Sequence, residues 1–325
     1  MWGYLVRRLG QAALVVAVMA TIVFFGVNVI GDPVHILINP EFDQAELERA
    51  IKALGLDKPL HEQFYYFVVN AFEGDFGTSF VFGEPALKLI LQRMPATLEL
   101  AFAALFLAIF IGVPLGMYAG LKPDSLVSKS IMAGSILGFS LPTFWVGIMM
   151  IMLFAVMLGW LPATGRGETT SLFGIEVSFL TLDGLSHLAM PAINLALLKI
   201  SLVIRLARAG AKEAALQDYV KFARAKGMSE ARIVLKHILK NIMIPVVTVL
   251  GLEFGGLIAF SVVTETVFSW PGMGKLIIES IQQLDRPIIV AYLMMTVLMF
   301  VTINLIVDLI YSLLDPRVRV TGAGK

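Results

Sequence analysis

Apolar and polar positions alternate along this chain in long blocks. Six apolar blocks are each long enough to cross about 30 Å of hydrocarbon at roughly 20 residues per helix. They fall at 9–30, 96–119, 131–158, 188–211, 242–263 and 288–314, and they predict an all-α integral membrane protein with six transmembrane helices. The polar stretch between the first two blocks covers 31–95. Its middle, EFDQAELERAIKALGLDKPLHEQFYYFVVNAF, has helical spacing and predicts two amphipathic helices broken at Gly55–Pro59. The longest strongly charged segment between two spans, DYVKFARAKGMSEARIVLKHILKNIMIP, begins at Asp218 and ends at Pro245. It reads as helix, stop, helix: Asp218 caps a short helix, Gly227 supplies a left-handed stop, and Ser229 with Glu230 opens the next helix. Ala223 and Ala225 keep the first helix slim, so that another surface can approach its backbone. Such an elbow suits docking on a cytoplasmic partner, and an ordinary basic loop fits the spacing equally well.

Composition sharpens the class. The chain is 58% hydrophobic with a mean hydropathy of +0.84, and only 15% of it is charged, against roughly 25% in soluble domains. A net charge of +1 gives no field suited to nucleic acid, and the absence of cysteine excludes disulfides and thiolate metal sites. The start, MWGYLVRRLG, has the basic character of a signal peptide. The apolar run from Leu9 to Ile30 nevertheless lacks a small-residue cleavage site, which predicts a retained anchor. Lysine and arginine placement predicts orientation: 205–241 carries nine basic residues against three acids, whereas 31–95 carries five against ten. Both termini and an elbow over 212–241 are therefore expected in the cytoplasm. The expected organisation is 1–30, cytoplasmic start and first span; 31–95, an extracytoplasmic helical segment; and 96–325, a five-span core with that elbow and an outer loop at 264–287.

Candidate chemistry is sparse. The histidines, His35, His61, His187 and His237, have no metal-ligand spacing. The run PGMGK at 271–275 has Ser269 and Leu276 where a phosphate loop needs glycine and a hydroxyl residue, so no nucleotide site is expected on this chain. Ionisable residues inside spans cost roughly 2.5–3.5 kcal/mol each at the bilayer centre; here they are Glu99, Lys199, Glu253 and Asp308. Lys199 and Glu253 are expected to pair across the bundle, either lining a passage or only fixing helix register. In the outer loop, which begins with Thr264-Glu265, Trp270-Pro271-Gly272 forces a turn and LIIESIQQL has helical spacing. Trp145, Trp160 and Trp270 lie near span ends and are expected to anchor at the membrane interface. Small-residue pairs at Gly112/Gly116, Gly116/Gly120, Gly134/Gly138 and Gly251/Gly255 predict close helix crossings. No internal repeat is evident.

Taken together, DYVKFARAKG, Asn241 with Ile244-Pro245, and TETVFSWPGMG resemble the permease subunit of dipeptide/oligopeptide ABC importers, in the peptide/nickel/glutathione branch. The resemblance extends over almost the whole chain, through RRL at 7–9, GDP at 31–33, LGLDKPL at 54–60, GDFGTS at 74–79, PATLEL at 95–100, NLIVDLIY at 304–311 and DPRVR at 315–319. It implies a type I ABC importer permease fold in a bacterial cytoplasmic (inner) membrane. It also implies a second permease subunit forming a heterodimer, two ATP-binding subunits holding ATP and Mg, and an extracytoplasmic substrate-binding protein that delivers di-/oligopeptides or peptide-like solutes. No cofactor or metal on this chain and no catalytic residue of its own are implied.

The coupling residues implied are Tyr219, Lys221, Phe222, Ala223, Arg224, Ala225, Lys226 and Gly227. The Glu-Ala-Ala of the general permease signature falls on Lys221, Phe222 and Ala223, and a literal Glu213-Ala214-Ala215 lies out of register. Lys240 stands at that signature's later proline, Lys199 and Glu253 stand where uncharged residues are expected, and Arg286 stands where an aromatic is common. Two other readings remain: an ion-coupled secondary carrier using Glu253, Lys199 and Glu99 as a relay, and a membrane scaffold.

Overall fold

The computed structural model describes residues 2–30 and 57–314. The first of the two amphipathic helices expected in 31–95 lies outside these residues. The second is present as α2 (Leu60–Glu73), after α1 (Trp2–Ile30). The helices that follow among the described residues are α3 (Ala86–Leu121), α4 (Leu126–Ser140), α5 (Thr143–Met150), α6 (Leu182–Ala215), α7 (Asp218–Ala225), α8 (Glu230–Ile233), α9 (Leu239–Val267), α10 (Met273–Gln282) and α11 (Arg286–Leu314). Helix α5 runs on into a π-helical stretch, Ile151–Met157, and α8 into another, Val234–Ile238. Among the described residues a short antiparallel hairpin, β1 (Thr170–Leu172) with β2 (Ile175–Val177), interrupts the helices.

Among the described residues, five helical stretches are long and apolar enough to cross a membrane, namely Val6–Gly26, Ala86–Leu121, Leu182–Ala215, Glu230–Val267 and Arg286–Val307. The sixth expected span is not one straight helix. Helices α4 and α5, with its π-helical continuation, meet at 105°. The cause is local: Pro142 has no N–H to give, and its ring drives Leu141 out of the helical region to φ −85°, ψ 136°.

The chain divides into two compact units. One comprises Met1–Met94 with Leu276–Thr302. Here α1 and α2 join through the rings of Phe24, Phe25, Phe64 and Phe67, with neighbouring centroids 5.2–6.4 Å apart. In the same unit the buried Asp285 carboxylate accepts from the Ser79 hydroxyl and from the Phe80 N–H at 3.3 Å, pinning the turn that precedes α3.

The other unit comprises Pro95–Lys275 with Ile303–Lys325, and α6 is its centre, packed by α4, α5, α7 and α9. The glycine stripe of α3 lies against α6. A Cβ at Gly112 would meet Val203 at 2.8 Å, one at Gly116 would meet Ile204 O at 2.5 Å, and one at Gly120 would meet Arg208 O at 2.5 Å. The expected close crossing is therefore present at these three positions, and Gly251 is likewise tight against Val307. Gly134, by contrast, has open space where a side chain would go. Gly116→Val is expected to cost about 2 kcal/mol or more by overpacking, read as a lower unfolding temperature of the detergent-extracted protein. Gly134→Ala is the control, expected to leave that temperature unchanged.

Candidate functional site

The elbow after α6 is built into the core of its unit. Helix α7 turns Val220 and Ala223 inward, where they join Ala207, Ala211 and Ala214 of α6, Ile233 and Ile238 around α8, and Ile242, Val246 and Leu250 of α9. Gly227, at φ +77°, makes the left-handed stop, and Met228 N–H closes the turn on Ala223 O at 3.2 Å. Asp218 is not the cap; it is the first helical residue, following Gln217, and pairs with Lys221 at 2.9 Å. Ala223 also departs from expectation: it is buried, so its small size serves internal packing and not access by another chain.

The outward face of α7 carries Tyr219, Lys221, Phe222, Arg224 and Ala225, followed by Lys226 and Gly227. Its charges are partly answered within the elbow, since Arg224 Nε donates to Glu230 at 2.8 Å. That hydrogen bond, then the Glu230 charge, raises the Arg224 pKa above its ordinary value. Lys226 Nζ lies 4.5 Å from the centre of the Phe222 ring, and the Tyr219 hydroxyl accepts from Asn241 Nδ2 at 2.8 Å. What the elbow offers is therefore a helix bearing two exposed aromatic rings on a basic surface, with Lys221 and Arg224 paired to Asp218 and Glu230.

A second cluster sits where α9 ends. Glu265 is fully buried. One carboxylate oxygen accepts from Gly274 N–H at 2.7 Å and Lys275 N–H at 3.0 Å, at the start of α10; the other accepts from Thr97 Oγ1 at 2.7 Å and Ser261 Oγ at 2.9 Å. Gly272 packs so closely on this carboxylate that no side chain fits there. Trp270 does not lie at an interface as expected. It is fully buried, and its indole N–H donates to Ala96 O at 2.8 Å. Trp160, 70% exposed, is free to fill the interfacial role. Pro271 sits in the turn between these two buried anchors.

Glu99 fixes the loop that carries the β-hairpin. Its carboxylate takes Arg166 at 2.6 Å, the Ser178 N–H and hydroxyl at 2.7 and 2.9 Å, and the Phe179 N–H at 2.9 Å. Arg166→Ala is expected to speed amide exchange across 164–181 and leave 218–227 unchanged. Equal protection in both proteins would remove Arg166 from this role. The Lys199–Glu253 pair expected from sequence is formed between α6 and α9. Glu99 is bound to Arg166 and loop groups, so Glu99, Lys199 and Glu253 do not form one hydrogen-bonded chain. The proton or sodium relay of an ion-coupled carrier loses its third member.

Long apolar helices around the elbow define the class: this is a multi-pass membrane permease with the type I ABC importer permease fold. The chain belongs to the family described as "Binding-protein-dependent transport system inner membrane component", whose model matches residues 112–320; the N-terminal model of the same system matches 1–101. It is 37% identical to the di/tripeptide transport system permease protein DppB of Pseudomonas aeruginosa (strain UCBPP-PA14), over 98% of this chain and 99% of that one. It is 35% identical to the glutathione transport system permease protein GsiC of Escherichia coli (strain K12), over 98% and 99%. The probable D,D-dipeptide transport system permease protein DdpB of the same strain is 39% identical, over 100% and 99%. Among solved structures, an inward-facing MetNI methionine ABC transporter matches 70% of this chain and 96% of its own with a TM-score of 0.53 at 16% identity, a likeness of fold.

Proposed function

We propose that this permease carries di-/oligopeptides or peptide-like solutes across a bacterial cytoplasmic membrane, with both termini and the 212–241 elbow in the cytoplasm. A second, different permease completes the passage. Two separate ATP-binding subunits hold ATP and Mg, and an extracytoplasmic binding protein delivers the cargo. The observation that carries this reading is the construction of α7. Val220 and Ala223 are part of the same apolar core as α6 and α9, while Tyr219 and Phe222 face outward. A push on the aromatic face therefore moves the crossing helices as a body, because a close-packed core transmits displacement and does not absorb it. The names of the relatives support the cargo class, and the acidic balance of 31–95 against the basic elbow supports the orientation.

The test is uptake of labelled dipeptides and tripeptides into proteoliposomes containing the assembled importer and its binding protein. Uptake is expected only with ATP inside the cytoplasmic-facing compartment. Uptake that continues with an ATPase-dead partner overturns the reading.

A further inference from the structure

Resting on the uptake function proposed above, the placement of one ion pair points to how the cargo is held during passage. Glu253 is the central residue of α9, 14 positions from Leu239 and 14 from Val267, which is about 21 Å of helix on either side. Lys199 stands equally near the middle of α6. Lys199 Nζ donates to Glu253 Oε2, yet the two side chains differ: Lys199 is 11% exposed and Glu253 44%. A carboxylate half open at the centre of a span is too far from either interface to reach water along the helix, and it is costly against lipid tails. Charged side chains at this depth face a bundle interior or a water-filled cavity. The open side of Glu253 therefore marks the face of α9 that lines the passage. One turn on, Gly256 lies beside both charges: a Cβ there would be in ordinary contact with Glu253 Oε2 at 3.8 Å and Lys199 Nζ at 3.9 Å. Phe260, 62% exposed, continues the same helical face two turns along.

We infer that Glu253, held in place by Lys199, lines the water-filled passage at mid-membrane and accepts the ammonium group of a passing peptide. Lys199 is the positioning residue. It fixes one carboxylate oxygen, leaving the open side of the carboxylate to the cargo. The contact is transient by construction, since Lys199 reclaims the carboxylate when the peptide leaves.

Two measurements test this. In proteoliposomes supplied with saturating binding protein loaded with trialanine, Glu253→Gln is expected to slow uptake about tenfold, the size of one lost charge-assisted hydrogen bond. The double variant K199M/E253Q, in which no lysine is left stranded, is expected to be equally slow. Recovery of the wild-type rate in the double variant would reduce the pair to a helix fastener and overturn the inference. The chain has no native cysteine, so Glu253→Cys places a single thiol on it. A membrane-impermeant sulfonate thiosulfonate is expected to label that thiol, and trialanine-loaded binding protein to slow the labelling. No labelling in any nucleotide state means that lipid or the second permease covers this face, and the inference falls. If the wild-type importer ignores trialanine while the Glu253→Cys variant is labelled, the peptide reading and the ammonium contact are overturned together, leaving only the passage-lining face.

Discussion

Glu265→Leu is expected to abolish recovery of the folded permease, while Glu265→Gln is expected to be recovered at reduced thermal stability. The leucine matches the carboxylate in bulk and strands four donors: the Gly274 and Lys275 N–H groups and the Thr97 and Ser261 hydroxyls. Each buried donor left without a partner costs about 1–3 kcal/mol. Even if both hydroxyls find other acceptors, the two amides put the loss at about 2–6 kcal/mol, a large share of the 5–15 kcal/mol that typically holds a domain together. Ser261 has such an outlet, because its hydroxyl also reaches Ile258 O at 2.8 Å. Glutamine is tolerated for a specific reason. Its carbonyl can face the two backbone amides, which only donate, and its NH2 can face the two hydroxyls, which can accept. Yield of monodisperse protein after mild detergent extraction, followed by a thermal unfolding series, distinguishes the three proteins. A leucine variant as stable as the parent would show that the cradle contributes nothing.

The cradle also shows which parts of this structure the sequence disclosed. The apolar blocks are legible because a crossing must be about 20 residues long whatever its neighbours do. The Gly227 stop, the helix inside 264–287 and the Lys199–Glu253 pair are legible because each rests on local chemistry or on charges too costly to leave alone in lipid. The close crossings at Gly112, Gly116 and Gly120 are legible as spacing, but spacing does not name the facing helix, and at Gly134 the same pattern meets nothing. The break at Leu141-Pro142 was written in the residues, since a residue before proline avoids the helical region. The length of the 131–158 block alone suggests one span, and that steric rule divides it at Leu141. The hairpin 170–177 also carried a signal in its alternation around Phe173-Gly174, too short to stand out beside the spans. The burial of Trp270 is not legible, because an aromatic at a span end suits an interface and a core equally; only Ala96 O, 174 residues away, decides between them. Arg166 as the partner of Glu99, 67 residues off, is unreadable for the same reason.

The second large effect concerns the outward face of α7. Tyr219→Ala with Phe222→Ala is expected to leave membrane insertion and thermal stability nearly unchanged, because both rings project from the elbow and neither fills its core. Tyr219 forfeits one hydrogen bond from Asn241, a donor on an exposed residue that water can satisfy. Transport is nevertheless expected to fall more than tenfold, with loss of copurifying ATP-hydrolysing subunits. Exposed aromatic anchors carry a disproportionate share of interface energy, about 2 kcal/mol or more for a central one. Lys221→Ala should do far less, since that charge is already answered by Asp218, and for the same reason moderate salt should loosen the assembly only slightly. Val220→Asp gives the opposite signature. It puts a carboxylate into the core shared with α6 and α9, so the protein itself should fail before any docking is tested. The separation is visible in crosslinking on this cysteine-free chain: a thiol at Phe222 or Arg224 should reach the ATP-hydrolysing partner, and one at the buried Ala223 should not. If Phe222→Cys never links to such a subunit in the assembled importer, α7 is not the surface through which nucleotide chemistry moves these helices.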